Sequence, residues 1–387
     1  MVNVMLKCDK HKIMIFLSVL IFLKPSNVSY WSMVDSIYKL LKVLIMLVLI
    51  VKYIRSGAKI RKKDVLLFTV LLIWLFSAYC NLHSFGDNLQ QVLSIIGIFL
   101  LVKIINTKDK VMMLLESIAF LTKIYVFLEL ITIFLDHPLF ADAMGRSDRF
   151  FLGNDNYSAF VIIPLCGIMM ACSLFKNNKI NKSTWFFLFI AFLCFAVPGS
   201  VTAIVSFGIL IVCAIFLNWP FLRKALTIKS LIAFAILFVG MVVCFNIQDY
   251  FGMLLSVIGK TALNSRETIW PKAVDLIRQK PMFGWGVLTE RQIEGYVLYG
   301  ASHAHNIILQ LLLDIGIIGT ALLGIWLYGI IKYNKCIKKK YMYILYLCMW
   351  CYLFASIFDF YFGLIYFWLM LFIYDMLGQY ERNTNMR

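Results

Sequence analysis

The stretch HNIILQLLLDIGIIGTALLGIWLYGIIK, from His305 to Lys332, decides the fold. Asp314 is its one acidic residue, and the rest is almost wholly apolar for longer than the roughly 20 residues that cross the hydrocarbon core of a bilayer. In water such a helix must be buried on every side, whereas in lipid it needs no cover. A small polar cluster, Ser302-His303-Ala304-His305-Asn306, stands at its head. Lysines crowd its foot.

Outward from this run, eleven others share its character, at 13–29, 34–54, 64–82, 89–106, 111–135, 156–175, 184–198, 200–217, 228–247, 341–358 and 360–377. The 387-residue chain is 62% hydrophobic and 15% charged, with mean hydropathy +0.86. A soluble domain is nearer half apolar and a quarter charged. The expected fold is therefore an all-α integral membrane protein of about 12 transmembrane helices. The net charge of +17 falls in short clusters between apolar runs, so it is a topology signal and excludes nucleic acid as a partner. The ten cysteines are scattered singly, and the one Cys-x-x-Cys, Cys348–Cys351, lies inside an apolar run where packing is its expected role. Lys7, Lys10 and Lys12 before Ile13–Leu23 look like the head of a signal peptide, but no small-residue cleavage site follows, so the run is expected to remain as a first helix.

Basic residues then orient the chain. Alternate connections carry Lys52, Arg55, Lys59, Arg61, Lys62 and Lys63, then Lys103, Lys108 and Lys110, then Lys176, Lys179 and Lys182. Arg223, Lys224 and Lys229 follow on that side, and then Lys332, Lys335, Lys338, Lys339 and Lys340. The opposite connections at 82–88, 198–199 and 359 carry no Lys or Arg, so the basic side and both termini are expected in the cytoplasm. The chain divides into 1–247, with helices one to nine and an outer loop at 136–155; 248–304, a large extracytoplasmic loop; and 305–387, with the last three helices and a cytoplasmic C-terminus. Within the large loop, Ile269, Trp270, Ala273, Val274 and Ile277 form a helical stripe over Arg266–Lys280. That predicts a short amphipathic helix on the membrane face, capped by Ser265 or Asn264 and ended by Pro281 and Gly284-Trp285-Gly286. Pro198-Gly199 is either a tight turn or a kink.

Three constellations can carry chemistry. Charges within the membrane are costly unless paired or facing water, so Lys123 and Asp314, both near the middle of their runs, are expected to meet. Glu129, nearer the outer end, can line a cavity, and Glu116, nearer the cytoplasmic end, is expected either to snorkel or to pair. His303 and His305, two of only five histidines, flank the mouth of a membrane helix, where an imidazole suits proton abstraction near neutral pH. A metal site is the other reading of His-x-His, without any further Cys or His cluster to support it. Arg146, Arg149 and Arg266 lie on the outer side against the charge bias, and a planar guanidinium suits phosphate. Local pairing with Asp142, Asp148 or Glu267 is the plainer alternative.

Arg266–Trp270, Pro281-x-x-Gly-x-Gly286, His303-x-His-Asn306, Leu309-Gln310 and Asp314-x-Gly-Ile-Ile-Gly319, in that order, resemble the O-antigen ligase and polymerase family. Arg149-Phe-Phe-Leu-Gly-Asn154-Asp-Asn156 is similar to the family's Arg…Asn element. The chain departs from the pattern at Ser200-Val201-Thr202, where members often carry Ser-Arg. If that arginine holds a phosphate in relatives, Arg149, Arg266 or another group must do so here.

The resemblance implies a metal-independent glycosyltransferase without cofactor, on a membrane fold like those of GT-C type glycosyltransferases, in the bacterial cytoplasmic membrane. Its donor would be an oligosaccharide on polyprenyl pyrophosphate and its acceptor a glycan, with a flippase and a chain-length regulator as protein partners. It implies His305 as general base, with Arg266, Arg149 and Arg146 on the pyrophosphate. His303, Asn306, Asn154, Asn156, Asp314, Lys123 and Glu129 would support the site. A polymerase of capsule, exopolysaccharide or O-antigen chains is the favoured member, and a ligase the alternative. The rival class is a transporter or flippase, with Lys123, Glu129 and Asp314 lining a pathway, although the halves show no repeat.

Overall fold

The computed structural model of the chain describes residues 10–25, 28, 31–81, 85–135, 150–245, 266–298, 303–360 and 364–385. Every regular element among them is a helix. Each of the twelve apolar runs has one: α1 (Lys10–Phe22), α2 (Ser32–Ser56), α3 (Lys62–Cys80), α4 (Phe85–Lys103), α5 (Lys108–Phe134), α6 (Asp155–Asn177), α7 (Lys182–Ala196), α8 (Val201–Ile215), α10 (Ile228–Phe245), α13 (Ile307–Asn334), α14 (Lys340–Ala355) and α15 (Ile365–Asn385). Three shorter helices are added, α9 (Pro220–Ala225), α11 (Arg266–Gln279) and α12 (Glu290–Tyr296). Helices α3, α4, α5 and α13, with residues Asn156–Asn177 of α6, are long and apolar enough to cross a membrane. The apolar helices α7, α8 and α14 are shorter. The chain is a multi-pass membrane protein.

The helix ends follow local chemistry. Asn154 caps α6 by accepting from Tyr157 N at 2.7 Å, and Asn181 caps α7 by accepting from Thr184 N at 2.7 Å. Gly199, at φ 77°, turns α7 into α8, so Pro198-Gly199 is a turn between two helices. The spanning part of α6 is 94% buried, which makes it the axis of the bundle, with α5, α7, α8, α14 and α15 packed around it. Gly167 lets α14 approach: a Cβ there would stand 2.3 Å from Cys348 Sγ, which donates to Ile163 O at 3.2 Å. Cys348 and Cys351 are both buried in this contact region, as packing residues.

One end of the bundle gathers the basic connections. Lys103 pairs with Asp64 at 2.5 Å, Arg61 and Lys63 with Asp375, and Lys176 with Glu116 at 2.6 Å. Tyr333, in the last turn of α13, lies under Lys63 at 5.1 Å, so the foot of α13 belongs to the same end. The head of α13, with the histidines, is at the other.

Between these ends α13 breaks at Gly316, which adopts φ 65° and ψ −173°. A break within a membrane helix frees backbone groups that only protein can satisfy. Residues 281–286 supply the partners. Trp285 N donates to Leu313 O at 2.7 Å and Gly286 N to Asp314 O at 2.8 Å. Ile317 N and Ile318 N donate in turn to Pro281 O at 2.8 Å and Met282 O at 3.2 Å. The two bonds that a continuous helix would make from 317 to 313 and from 318 to 314 are thus replaced by four to the inserted segment.

The glycines of that segment are required by the closeness of the fit. A Cβ on Gly284 would stand 2.5 Å from Leu313 O, and one on Gly316 would stand 2.4 Å from Met282 O. Asn81 and Asn88 reach across from α3 and α4 to Gly284 O and to both backbone groups of Val287. Helix α11 precedes the insert and buries Ile269, Trp270, Ala273 and Leu276. Its apolar stripe faces α13 of the same protein instead of lipid. The Ser265 and Asn264 caps expected for it lie outside the described residues.

Candidate active site

The head of α13 is held by Asn306. Its Oδ1 accepts from Ile308 N at 2.9 Å and Leu309 N at 3.2 Å, while its Nδ2 donates to Ile357 O at 2.9 Å. Ile307 N also donates to Ser356 O at 2.8 Å. These bonds draw the turn after α14 against the His-Ala-His segment. Asp359, in that turn, then faces both imidazoles.

His303 Nε2 is hydrogen-bonded to Asp359 Oδ1, and His305 Nδ1 lies 3.4 Å from the same oxygen. The two rings sit with centroids 4.0 Å apart at 40°. The side chains of His303 and Asp359 are 5% and 3% exposed, against 21% for His305. Because His305 Nδ1 is itself buried, that exposure falls on the remainder of the ring. Burial alone would push the Asp359 carboxyl up, but the imidazoles of His303 and His305 hold it below the ordinary carboxylate range.

The segment is fixed from behind. Trp270 Nε1 donates to Ala304 O at 2.9 Å, and Ala304 N donates to Gln310 Oε1 at 2.7 Å. Gln310 Nε2 donates to Asp314 Oδ1 at 2.8 Å, so the buried Asp314 orients the amide that holds the histidine loop. His305 itself adopts φ 50°, a left-handed conformation that costs a residue with a side chain on the order of 1–3 kcal/mol. The surrounding bonds sustain that strain.

His303, His305 and Asp359 each offer one ligand atom, all within 4.8 Å of one another. Two imidazoles and a carboxylate suit a divalent cation, so the supporting ligand that the sequence did not reveal exists, 56 residues from His303. The same arrangement suits proton transfer: a buried carboxylate steadies imidazole, and one ring edge is left open.

The other expected residues are placed as follows. Lys123 does not reach Asp314. It lies on the face of α5 that packs against α7, where it donates to Ser183 Oγ at 3.0 Å and covers the Phe187 ring at 5.4 Å. Glu129 is fully buried and accepts from Leu152 N at 2.6 Å, tying the chain that returns into α6. Asn154 caps α6, and Asn156 Oδ1 accepts from Ser200 Oγ at 2.8 Å, which joins the Arg…Asn element to the position where the chain departs from the family pattern. Arg266 opens α11 one turn before Trp270. Arg146 and Arg149 lie outside the described residues.

A family model described as O-antigen ligase matches residues 185–324. Across those residues, a little over a third of the chain, it is similar to the O-antigen ligase family. The matched region runs from α7 into α13 and contains the Gly316 break, its insert, and the His303–Asn306 mouth. Asp359, which completes the cluster, lies beyond the match. No curated protein matches the chain.

Asp359 was missed because it stands in the narrow gap between two apolar runs and reads as a mere turn. The available signal was energetic: an ionisable group at a membrane-helix end needs a partner.

Proposed function

We propose that the chain is a surface-polysaccharide polymerase, with its twelve apolar helices crossing the bacterial cytoplasmic membrane and the histidine end outside. It transfers a glycan from polyprenyl pyrophosphate to a lipid-linked repeat unit. The observation that carries this reading is the His303–His305–Asp359 cluster at the mouth of α13, with His305 alone partly open. His305 Nε2 takes the proton of the acceptor hydroxyl as its oxygen attacks the anomeric carbon. The bond from that carbon to the pyrophosphate oxygen breaks, and the configuration inverts. The leaving pyrophosphate keeps the electron pair, and Arg266, Arg149 and Arg146 hold its charge. Asp359 and His303 hold the His305 ring and steady the imidazolium that forms. Asn306 holds the mouth, and Asp314 acts through Gln310. Richness in Lys, Asn, Ile and Phe favours a capsule-forming host over one that ligates chains to lipid A–core.

The test is complementation of a strain that lacks its polysaccharide polymerase. A glycan ladder restored by the wild type and reduced to single lipid-linked repeats by His305→Ala supports the reading. Long chains in both strains, trapped on lipid and never passed on, point to a ligase that hands the glycan to a different acceptor. Transport of repeats into vesicles without lengthening would make the chain a flippase.

A further inference from the structure

At the end of the bundle opposite the histidines, the foot of α13, the head of α14 and the start of α10 enclose a cavity of about 700 Å³. Lys229, Lys332, Lys335, Lys338 and Lys339 line it with Asn334, and its lining contains no carboxylate. Only Lys339 of the five has an ion pair among the described residues, a long one with Glu381 at 3.8 Å. Lys332 lies over the Tyr328 ring at 5.9 Å. Asn334 is 1% exposed; its Oδ1 accepts from Arg382 at 2.8 Å, and its Nδ2 has no hydrogen-bond partner among the described residues. A buried amide donor in the same lining as five amines, four of them without an ion pair among the described residues, calls for an anion.

The rest of the wall is apolar and ordered. Ile232, Ile331 and Met342 contribute to it. The Tyr346 hydroxyl accepts from Ile228 N at 3.1 Å and donates to Leu226 O at 3.2 Å, while Trp350 Nε1 donates to Thr227 O at 3.2 Å. These bonds pin the turn that presents Lys229. Ile232 and Tyr328 are 52% and 56% exposed, so the cavity opens on the flank of the bundle, where lipid chains lie.

We infer that this cavity is a binding site for an anionic phospholipid, whose phosphate meets the lysines and Asn334 Nδ2 and whose acyl chains lie along the apolar wall. A basic pocket between membrane helices is a recurrent means of holding such headgroups. A free phosphate would use the lysines but gain nothing from Ile232, Ile331 and Met342. The inference is independent of the glycosyltransferase reading and holds whichever polysaccharide is made.

The full chain, purified into nanodiscs of mixed phosphatidylglycerol and phosphatidylcholine and then released into detergent, should retain phosphatidylglycerol selectively by native mass spectrometry. Lys332→Gln/Lys335→Gln/Lys338→Gln should lower that retention on the order of tenfold. Asn334→Asp, which keeps an acceptor for Arg382 and sets a negative oxygen in the cavity, should lower it too. Lys52→Gln/Lys59→Gln/Lys62→Gln, at the same end but outside the cavity, should leave it unchanged. Equal retention of the two lipids, or equal loss in the control triple variant, overturns the site. Displacement of the bound lipid by excess inorganic phosphate, with phosphate then retained, overturns the lipid as its occupant.

Discussion

At the head of α13, two histidines and a carboxylate share one buried cluster; at its foot, five lysines are spread around an open cavity and meet one distant carboxylate. Both ends are polar, and the sequence marks both plainly. They differ in what fixes each side chain. Around the histidines, Asn306, Gln310, Trp270 and Ser356 each place a backbone or side-chain atom by hydrogen bonds, and even the strained φ of His305 is maintained. Around the lysines, long flexible stems reach a common space, and their number matters more than the position of any one. Dense hydrogen bonding marks geometry that chemistry needs. Loose charge marks topology and attraction to anionic surfaces.

The largest effect is expected where residues 281–286 fill the break in α13. Gly316→Val puts a branched side chain where even a Cβ would be 2.4 Å from Met282 O, and it forces φ 65° on a residue that avoids it. We expect loss of folded protein in detergent by size-exclusion chromatography, together with all polymer. A well-behaved, active Gly316→Val protein would mean that the insert does not support the site.

Asp359→Asn keeps shape while removing charge. It should slow transfer roughly 100-fold or more, within the range typical of acid–base groups and their partners. The lowered Asp359 carboxyl gives a second readout. A depressed group lends stability above its unfolded pKa of about 3.9 and loses it only as pH falls through its folded value. The difference in thermal stability between wild type and Asp359→Asn should therefore hold or grow from about pH 7 to 4.5, since any proton gained by the facing imidazoles meets a carboxylate only in the wild type. A difference that shrinks within that window would show that the imidazoles do not hold the carboxylate.

A smaller test concerns which end faces out. With native cysteines replaced, single cysteines at exposed positions within 272–295 should react with an impermeant reagent, and those at 57–60 should not. The reverse pattern would invert the assignment of the two ends. Smallest of all, Lys123→Gln should change transfer by less than about twofold, since its partners Ser183 and Phe187 belong to packing between α5 and α7.

Much of this molecule was legible in its sequence. Apolar runs predicted the helices because lipid demands length and hydropathy, and most ends differ by only a few residues from those observed, such as 111–135 against Lys108–Phe134, although the first run, 13–29, gives Lys10–Phe22 and the last, 360–377, gives Ile365–Asn385. The amphipathic stripe of α11 was also legible, since Ile269, Ala273 and Ile277 recur with helical period. What it packs against was not, because a stripe looks the same whether it meets lipid or protein. Depth along a helix could be counted, but azimuth could not. Helix α5 is apolar on all sides, so nothing in its pattern says that Lys123 faces α7 and not Asp314. The glycine motif could be matched without disclosing its cause, which is the exchange of backbone bonds between 281–286 and the break in α13. Asp359 could be marked as an ionisable group in need of a partner, but its partner could not be named, since no spacing rule couples a turn residue to a loop 56 positions earlier.

The most direct measurement is transfer by purified wild-type and His305→Ala protein from a synthetic polyprenyl-pyrophosphate repeat unit, followed by product length, in the presence and absence of a chelator. Chain growth by the wild type is expected to be unaffected by the chelator, and the folded variant to be roughly 100- to 10,000-fold slower. Normal elongation by His305→Ala would contradict the base assignment, and loss of wild-type activity on chelation, restored by a divalent metal, would turn the His303–His305–Asp359 cluster into a metal site.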